Sequence, residues 1–269
     1  MADLKIGVMG AAGRMGGAVI RQVADTPGCA VVAACEGTGN PALGRDAGEL
    51  AGLGKIGVAI GGDAAAVIAA SDAIIEFSVP AATVTHAKLA AAKGVAHIIG
   101  TTGLDTAAQA ALVEAAKSCA IVHAPNMSLA VNLLFALTRQ VAATLDAEFD
   151  IEIVEMHHRH KVDAPSGTAL ELGRRAAEGR QAKLDQVARM TREGQVGARK
   201  KGEIGFAALR GGDVVGDHTV IFAADGERLE LGHKAASRQI FARGAVHAAR
   251  WAAGQKPGLY SMFDVLGIK

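Results

Sequence analysis

The 269-residue chain has few aromatic residues, few cysteines and almost no excess of charge. Aromatic side chains make up 3% of it, and the formal net charge is +1 at pH 7. A balance this close to neutral predicts neither a nucleic-acid-binding surface nor an acidic tail. Because Cys29, Cys35 and Cys119 lack metal-ligand spacing and lie in apolar runs, we expect them to be reduced and buried.

Two segments that would direct the chain to a membrane are also missing. The N-terminus lacks the basic-then-apolar order of a signal peptide. No apolar run without charge reaches the length of a membrane span. We therefore expect a cytoplasmic protein that has no membrane partner.

The residues that are abundant favour an α/β fold. Half of the chain is hydrophobic, mostly alanine and valine, and 34 glycines allow helices to pack closely on a sheet. Strand-like runs alternate with helical patterns over the first half, which predicts a Rossmann-like parallel sheet with right-handed crossovers. We expect this dinucleotide-binding domain to comprise residues 1–129 and 240–269. Residues 130–239 should form a smaller α+β domain for substrate binding and oligomerisation, with an open four-stranded mixed sheet.

A glycine-rich turn follows the first predicted strand. Leu4–Met9 leads into Gly10-Ala-Ala-Gly13-Arg-Met-Gly16, and a helical pattern begins directly afterwards. Glycines in this context let the backbone approach a pyrophosphate, which then lies at the helix N-terminus. The spacing departs from Gly-x-Gly-x-x-Gly because Ala12 precedes Gly13, and the motif alone is a weak signal.

Glu36 stands at the end of the second predicted strand, about 20 positions beyond the glycine turn. An acidic residue there suits a hydrogen bond to the adenosine ribose 2′-hydroxyl. The alternative is an ordinary exposed glutamate at a strand end. The preceding glycine turn favours the functional interpretation.

The segment from Glu155 to Thr168 contains the densest set of titratable side chains. It reads Glu-Met-His-His-Arg-His-Lys-Val-Asp-Ala-Pro-Ser-Gly-Thr. Apolar residues at every second position from Phe149 predict a strand before it, and the pattern after Thr168 predicts a helix. Imidazoles, the Lys161 ammonium and the amides of a helix N-terminus together suit a small substrate that carries carboxylates.

His157 and His158 are adjacent and, on a strand, would point to opposite faces. They cannot then do the same job, so one interpretation makes His157 an acid or base near the reacting carbon and His158 a ligand of a substrate carboxylate. A zinc site that also uses His160 is the alternative. Consecutive strand residues are poor joint ligands, and both a cysteine pair and a His-Glu-x-x-His helix are missing, so we expect no metal.

Lys161 lies among cationic neighbours, which favours a role as proton donor. An exposed lysine beside a turn fits the same spacing. Ser166, Gly167 and Thr168 do not form a nucleophile elbow, because Gly-x-Ser-x-Gly is absent. Their main-chain amides and the Thr168 hydroxyl would instead hold a carboxylate. Asp163 is expected to shape the loop. Supporting roles beside the catalytic residues are expected for Arg159, His160 and Glu155.

This segment resembles, over its whole length, the signature of the 4-hydroxy-tetrahydrodipicolinate reductases (dihydrodipicolinate reductases) of lysine and diaminopimelate biosynthesis. Arg210–Thr219 and Gly232–Lys234 also resemble this family, so the similarity covers nearly the whole chain. The resemblance implies a homotetramer that reduces 4-hydroxy-tetrahydrodipicolinate, a cyclic dicarboxylate, to tetrahydrodipicolinate with NAD(P)H and loss of water. It implies that His157 and Lys161 are catalytic.

The resemblance also implies which residues contact the cofactor. Two polar turns after predicted strands, which alone would be unremarkable, are similar to cofactor-contacting loops of the family. The full set is Gly10, Ala11, Ala12, Gly13, Arg14, Met15, Glu36, Gly100, Thr101, Thr102, Ala124, Pro125, Asn126 and Met127. Gly37 and Val79 stand where family members that bind a 2′-phosphate carry arginine, so we expect NADH, with NADPH as the alternative cofactor.

Two other functions fit parts of this pattern. One is a dehydrogenase of amino-acid biosynthesis that acts on an open-chain oxo acid. The other is a non-catalytic regulator that has kept a dinucleotide-binding fold. The intact His-His-x-x-Lys and Ser-Gly-Thr residues argue against the regulator.

Overall fold

The computed structural model describes residues 2–268. They divide into two compact units, of which the first runs to Leu129 and resumes at Arg238, and the second comprises Ala130–Ser237. The strands are β1 Leu4–Met9, β2 Cys29–Cys35, β3 Ile60–Gly61, β4 Ala73–Glu76, β5 Ala96–Ile99, β6 Ala120–His123, β7 Asp150–His157, β8 Ala188–Arg189, β9 Ile204–Arg210, β10 Gly216–Ala224, β11 Glu227–Ala235 and β12 Gly258–Tyr260. The helices are α1 Arg14–Ala24, α2 Ala47–Ala51, α3 Ala64–Ala69, α4 Pro80–Lys93, α5 Thr106–Ala115, α6 Leu129–Thr144, α7 Gly167–Gly179, α8 Leu184–Val187, α9 Gln239–Ala252 and α10 Met262–Leu266.

Local sequence signals set several helix ends. Pro80 is the first residue of α4, where its missing N–H is not needed, and Gly94 ends that helix in the left-handed region at φ +67°. The Asp105 carboxylate caps α5 by accepting a hydrogen bond from the Ala108 N–H at 2.8 Å. These features are local, so the alternation of strands and helices could be read from the sequence.

The first unit is built on a parallel sheet with the strand order β12-β6-β5-β4-β1-β2-β3. One core cluster packs Ile6 and Val8 against α1 and α9, and a second packs Ile74 against α3, α4 and α5. Helices therefore cover both faces, which confirms the predicted Rossmann-like sheet. Because the strands are parallel, the turns at Gly10, Glu36 and Gly100 leave the same edge of the sheet.

The second unit contains a mixed sheet with the order β11-β10-β7-β9-β8. The predicted mixed sheet is confirmed, but its predicted count of four strands is wrong because β8 adds a fifth. This strand has two residues and pairs with the start of β9. It lies in a charged segment with weak periodicity, so the sequence pattern did not mark it.

One loop prediction in the second unit is confirmed. The charged pattern from Ala198 to Lys201 predicts a solvated loop, and Ala198, Lys200 and Lys201 are exposed and lie outside any helix or strand. Arg199 is the exception, because its side chain is 19% exposed and its Nε lies 2.9 Å from the Glu152 carboxylate. Glu152 belongs to β7, 47 positions earlier in the chain, and a contact over that separation leaves no local pattern.

Two expectations about composition can be compared with the structure directly. Cys29, Cys35 and Cys119 are free and buried, as predicted. Within residues 2–268, none of the helices is both long and apolar enough to cross a membrane.

Candidate active site

The glycine turn of the first unit brings backbone amides to the N-terminus of α1. Gly10 adopts the left-handed region at φ +72°, and Gly13 is the N-cap residue of α1. No side chain caps this helix at Gly13, so its first-turn amides are available to an anionic ligand. A Cβ on Gly16 would overlap the Gly10 carbonyl oxygen, which explains why glycine is needed where the helix lies against the turn.

The Glu36 carboxylate lies against this turn. Its Oε1 accepts a hydrogen bond from the Ala12 N–H at 2.8 Å, and its Oε2 accepts one from the Gly37 N–H at 3.2 Å. The fold thus brings the predicted ribose ligand to the predicted phosphate loop. Of the other turn residues, Ala11 is buried, Met15 is half-buried, and Ala12, Gly13 and Arg14 are exposed.

The two later turns at the same edge expose only part of their predicted residues. Thr101 is 3% exposed, and its hydroxyl accepts hydrogen bonds from the Ser78 N–H and the Thr83 hydroxyl. Because this hydroxyl is buried and used inside the unit, it is not available to a ligand at the surface. The exposed or half-buried members are Gly100, Thr102, Pro125 and Asn126, whereas Ala124 and Met127 are buried.

Glycines again permit close packing beneath these turns. A Cβ on Gly100 would overlap the Phe77 ring, and one on Gly244 of α9 would overlap the Met127 carbonyl oxygen. Gly244 was not predicted as part of the site, since it comes from a helix far along the chain.

In the second unit, the Glu155 carboxylate is the centre of a buried polar cluster. It is 1% exposed and accepts hydrogen bonds from His157 Nδ1 at 2.6 Å, from Arg210 Nη1 at 2.7 Å and from the Ser166 N–H at 3.0 Å. Burial alone would raise the pKa of Glu155, but the hydrogen bonds from Arg210 and His157 lower it below its ordinary value. Glu155 is therefore ionised and fixes the groups around it.

His157 is held in one orientation by this cluster. Because Nδ1 donates to Glu155, Nε2 is the ring atom that can exchange a proton with a ligand. A Cβ on Gly216 would lie 2.9 Å from Nε2, so glycine leaves space beside that atom. The His218 ring packs edge-on against His157 with 5.1 Å between centroids. Burial, and then the charge of His157, lower the pKa of His218 to about 4, so His218 is neutral at pH 7.

The Lys161 ammonium forms an ion pair with the Asp163 carboxylate. Its Nζ lies 2.8 Å and 2.9 Å from the two Asp163 carboxylate oxygens, and its side chain is 19% exposed. The hydrogen bond from Lys161 lowers the pKa of Asp163. The sequence predicted cationic neighbours for Lys161. That prediction was incomplete, because it left out the Asp163 carboxylate. Asp163 shapes this loop, as expected, by holding the ammonium.

Arg210 joins the loop to the buried cluster. Its Nη2 donates to Glu155 Oε1 at 2.9 Å and to the Asp163 carbonyl oxygen at 2.6 Å. The register places Arg210 beside His157 across β7 and β9, and His218 beside Glu155 across β7 and β10. Arg210 and His218 were not predicted as site residues. Their one signal was that they lie at the two ends of the Arg210–Thr219 motif.

The start of α7 combines exposed and internal groups. Ser166 is 2% exposed; its hydroxyl accepts from the Ala169 N–H at 3.1 Å and lies 2.9 Å from His218 Nε2. Ser166 therefore uses its polar groups to fix Glu155 and the helix end, and its binding of a substrate stays a prediction. Gly167, the first helical residue, is exposed, and Thr168 follows it half-buried.

The other two histidines of the Glu155–Thr168 segment, His158 and His160, lie just beyond the end of β7. The rings of His158 and His160 have centroids 6.3 Å apart. Within the part of the chain that the structure describes, no group of three or more His, Cys, Asp or Glu side chains is arranged to hold a metal ion.

Comparisons with known proteins match both units. The family model for the N-terminus of dihydrodipicolinate reductase matches residues 4–127, and the model for the C-terminus matches residues 130–266. The 4-hydroxy-tetrahydrodipicolinate reductase of Parvibaculum lavamentivorans is 58% identical over 269 residues, which covers 100% of this chain and 99% of the relative. The enzyme of the same name from Rhodopseudomonas palustris is 54% identical over 268 residues, with coverage of 100% and 99%.

Solved structures share the fold. A dipicolinate-bound dihydrodipicolinate reductase from Paenisporosarcina sp. TG-14 has a TM-score of 0.78 at 23% identity, covering 97% of this chain and 98% of the other. An amine dehydrogenase from Mycobacterium smegmatis has a TM-score of 0.60 at 13% identity, covering 97% and 95%.

Proposed function

The chain belongs to the dihydrodipicolinate reductase family, and from that premise we propose how its residues divide the work of the reaction. It is an oxidoreductase that reduces 4-hydroxy-tetrahydrodipicolinate to tetrahydrodipicolinate in lysine and diaminopimelate biosynthesis. The observation that carries the residue assignment is the bridge from Arg210 to both Glu155 and the Lys161–Asp163 loop. Through these hydrogen bonds Arg210 connects the strand that carries the His157 imidazole to the loop that carries the Lys161 ammonium.

The first unit holds the nicotinamide cofactor, which supplies hydride when bound. Three observations support this assignment: the uncapped start of α1, the close approach of Gly16 to Gly10, and the Glu36 carboxylate beside the Ala12 amide. The first-turn amides of α1 from Arg14 onward receive the pyrophosphate, since the Gly13 N–H already donates to the Gly10 carbonyl oxygen, and Glu36 binds the adenosine ribose. The turns at 100–102 and 124–127 bind the nicotinamide half mainly through backbone groups.

The second unit binds the cyclic dicarboxylate and supplies the residues that transfer protons to and from it. The Lys161 ammonium donates a proton, and Asp163 keeps the ammonium in place until a substrate carboxylate draws it away. His157 exchanges a proton with the substrate through Nε2, because Glu155 holds its Nδ1. His158 and the exposed amides at Gly167 and Thr168 bind carboxylates, with Ser166 ordering the start of α7.

Two measurements test this function. Substrate generated in situ should drive oxidation of NADH or NADPH, followed at the nicotinamide absorbance. Pyridine-2,6-dicarboxylate, a planar mimic of the substrate, should raise Tm in a thermal-shift titration. A dehydrogenase of open-chain oxo acids would not be stabilised by this ring. Binding of both cofactors without oxidation of either would favour the non-catalytic regulator.

The preferred cofactor is NADH, because the Glu36 carboxylate at the ribose site would repel a 2′-phosphate. We predict that Gly37→Arg raises kcat/KM for NADPH by roughly tenfold, since a guanidinium can bind a 2′-phosphate through two hydrogen bonds. A Cβ at this exposed position meets nothing within 4 Å, so the side chain fits without rearrangement. Gly37→Gln is the control of similar length without charge. An equal gain in both variants, or none in the arginine variant, would contradict the prediction.

The protein assembles as a homotetramer through the open face of the second sheet. α7 covers one face, on which Ile151 and Ile153 are buried. The other face carries Val154 and Met156, which are half-buried, and Leu209, which is 50% exposed beside Met156. We predict a tetramer mass by light scattering and a smaller species for Met156→Glu. A wild-type monomer would refute this assembly.

A biosynthetic role fits the expected cytoplasmic location.

A further inference from the structure

A second buried carboxylate lies in the first unit, at the edge that carries the cofactor turns. Glu76 is the last residue of β4 and is fully buried. In the sheet it pairs with Met9, directly before Gly10, and with Ile99, directly before Gly100. Its backbone carbonyl accepts a hydrogen bond from the Gly100 N–H at 2.9 Å. None of the roles assigned above uses this side chain.

Two histidines and a serine surround the Glu76 carboxylate. Nδ1 of His86, from α4, lies 2.8 Å from Oε1, and Nε2 of His97, from β5, lies 2.7 Å from Oε2. The Ser78 hydroxyl donates a further hydrogen bond to Oε1. Burial alone would raise the pKa of Glu76, but the hydrogen bonds and charges of His86 and His97 hold it well below its ordinary range. An ionised carboxylate without solvent contact is retained because these donors satisfy it.

The cluster is linked directly to the Thr101 turn. Ser78, whose hydroxyl is bound to Glu76, donates its backbone N–H to the Thr101 hydroxyl at 3.1 Å. Thr83, from α4, donates to the same hydroxyl at 3.0 Å. Thr101 thus accepts two hydrogen bonds from the strand end and the helix that the Glu76 cluster holds together. Its neighbour Thr102 is exposed.

We propose that Glu76 is a positioning residue, which acts through Ser78 to hold the Thr101 turn in the conformation that binds the nicotinamide half of the cofactor. This inference rests on the assignment of that turn to the cofactor. A carboxylate that served stability alone could be placed anywhere in the core. Glu76 instead lies between the two strands that lead into the glycine turn and the Thr101 turn.

The test measures NADH binding by fluorescence titration of the full-length protein. Glu76→Gln keeps the shape of the side chain but removes its charge and places an amide N–H₂ against a donor, so the present hydrogen bonds cannot all be kept unless a histidine changes tautomer. We expect Kd for NADH to rise roughly tenfold, with a matching rise in KM for NADH. kcat at saturating NADH and the affinity for pyridine-2,6-dicarboxylate should stay near wild type. A general loss of structure would move all four quantities.

Two further variants make the result decisive. Asp72→Asn is the matched control, because Asp72 precedes the opposite end of the same strand and accepts the Lys5 N–H at 2.9 Å; its NADH affinity should be unchanged. Ser78→Ala removes only the hydrogen bond from the Ser78 hydroxyl to Glu76 and should raise Kd for NADH by about threefold. This variant tests the inference by itself if Glu76→Gln does not fold. If wild type binds NADH and folded Glu76→Gln or Ser78→Ala binds it equally well, the inference fails. If wild type does not bind NADH, the cofactor assignment itself fails.

Discussion

Lys161→Ala should lower turnover by about 10²- to 10⁴-fold, the range that a positioned general acid contributes. The Lys161 side chain is 19% exposed, and its ammonium pairs with the Asp163 carboxylate. The proposed cofactor residues lie in the other unit of the chain, so Kd for NADH should be unchanged. Stopped-flow or steady-state oxidation of NADH measures turnover, and NADH fluorescence measures binding.

Two variants separate proton donation by Lys161 from its charge. Lys161→Arg keeps a cation that can pair with Asp163, but a guanidinium does not give up its proton near neutral pH. It should therefore be nearly as slow as Lys161→Ala. Asp163→Asn keeps the ammonium and removes its anchor, so it should be impaired far less. Near-normal turnover in Lys161→Arg would show that charge, and not proton donation, is the contribution of Lys161.

The parts of this protein that were predictable from sequence are those set by local chemistry. The strand into Gly10, the glycine turn and α1 follow one another within a short stretch, and each leaves its own residue pattern. Pro80, Gly94 and Asp105 mark helix ends in the same way. For the catalytic segment, the resemblance supplied roles that spacing alone left open, including the choice between a catalytic and an ordinary Lys161.

What could not be predicted depends on strand register and side-chain direction. Arg210 reaches Glu155 because β7 and β9 align in one register, and these residues are 55 positions apart. Thr101 was predicted as a cofactor-binding residue, and no sequence pattern indicated that its hydroxyl turns inward to Ser78 and Thr83. Neither fact has a periodic signature, since both arise from pairing between distant segments.

Glu155→Gln should strongly destabilise the protein. Neutralising this buried carboxylate leaves the Arg210 charge uncompensated and removes the acceptor of His157 Nδ1, and breaking such a pair costs about 3–5 kcal/mol. The measurement is the free energy of unfolding from urea titrations at pH 7. Turnover of the remaining folded protein should fall as well, because His157 loses the acceptor that fixes its Nδ1 proton.

Glu152→Gln is the matched control for this change. Glu152 lies on the same strand, points to the opposite face and pairs with Arg192 and Arg199, but its side chain is 29% exposed. Both arginines keep further acidic neighbours, Glu203 and Asp150, so the loss should be about 1 kcal/mol or less, with turnover unchanged. Equal destabilisation by the two variants would mean that burial of Glu155 has no special effect.

The pH dependence gives an independent check on the charge of Glu155. Arg210 and His157 overcome the effect of burial and lower its pKa in the folded protein. The folded state therefore binds the Glu155 proton less tightly than the unfolded chain does, whose glutamate pKa is about 4.3. The stabilisation is complete above that value and is lost as pH falls towards the lowered folded pKa. The difference in unfolding free energy between wild type and Glu155→Gln should hence be constant near neutral pH and shrink below about pH 4.3. A difference that does not change with acidification would show that Glu155 is protonated in the native protein. It would contradict the assignment of an ionised Glu155 that orients His157.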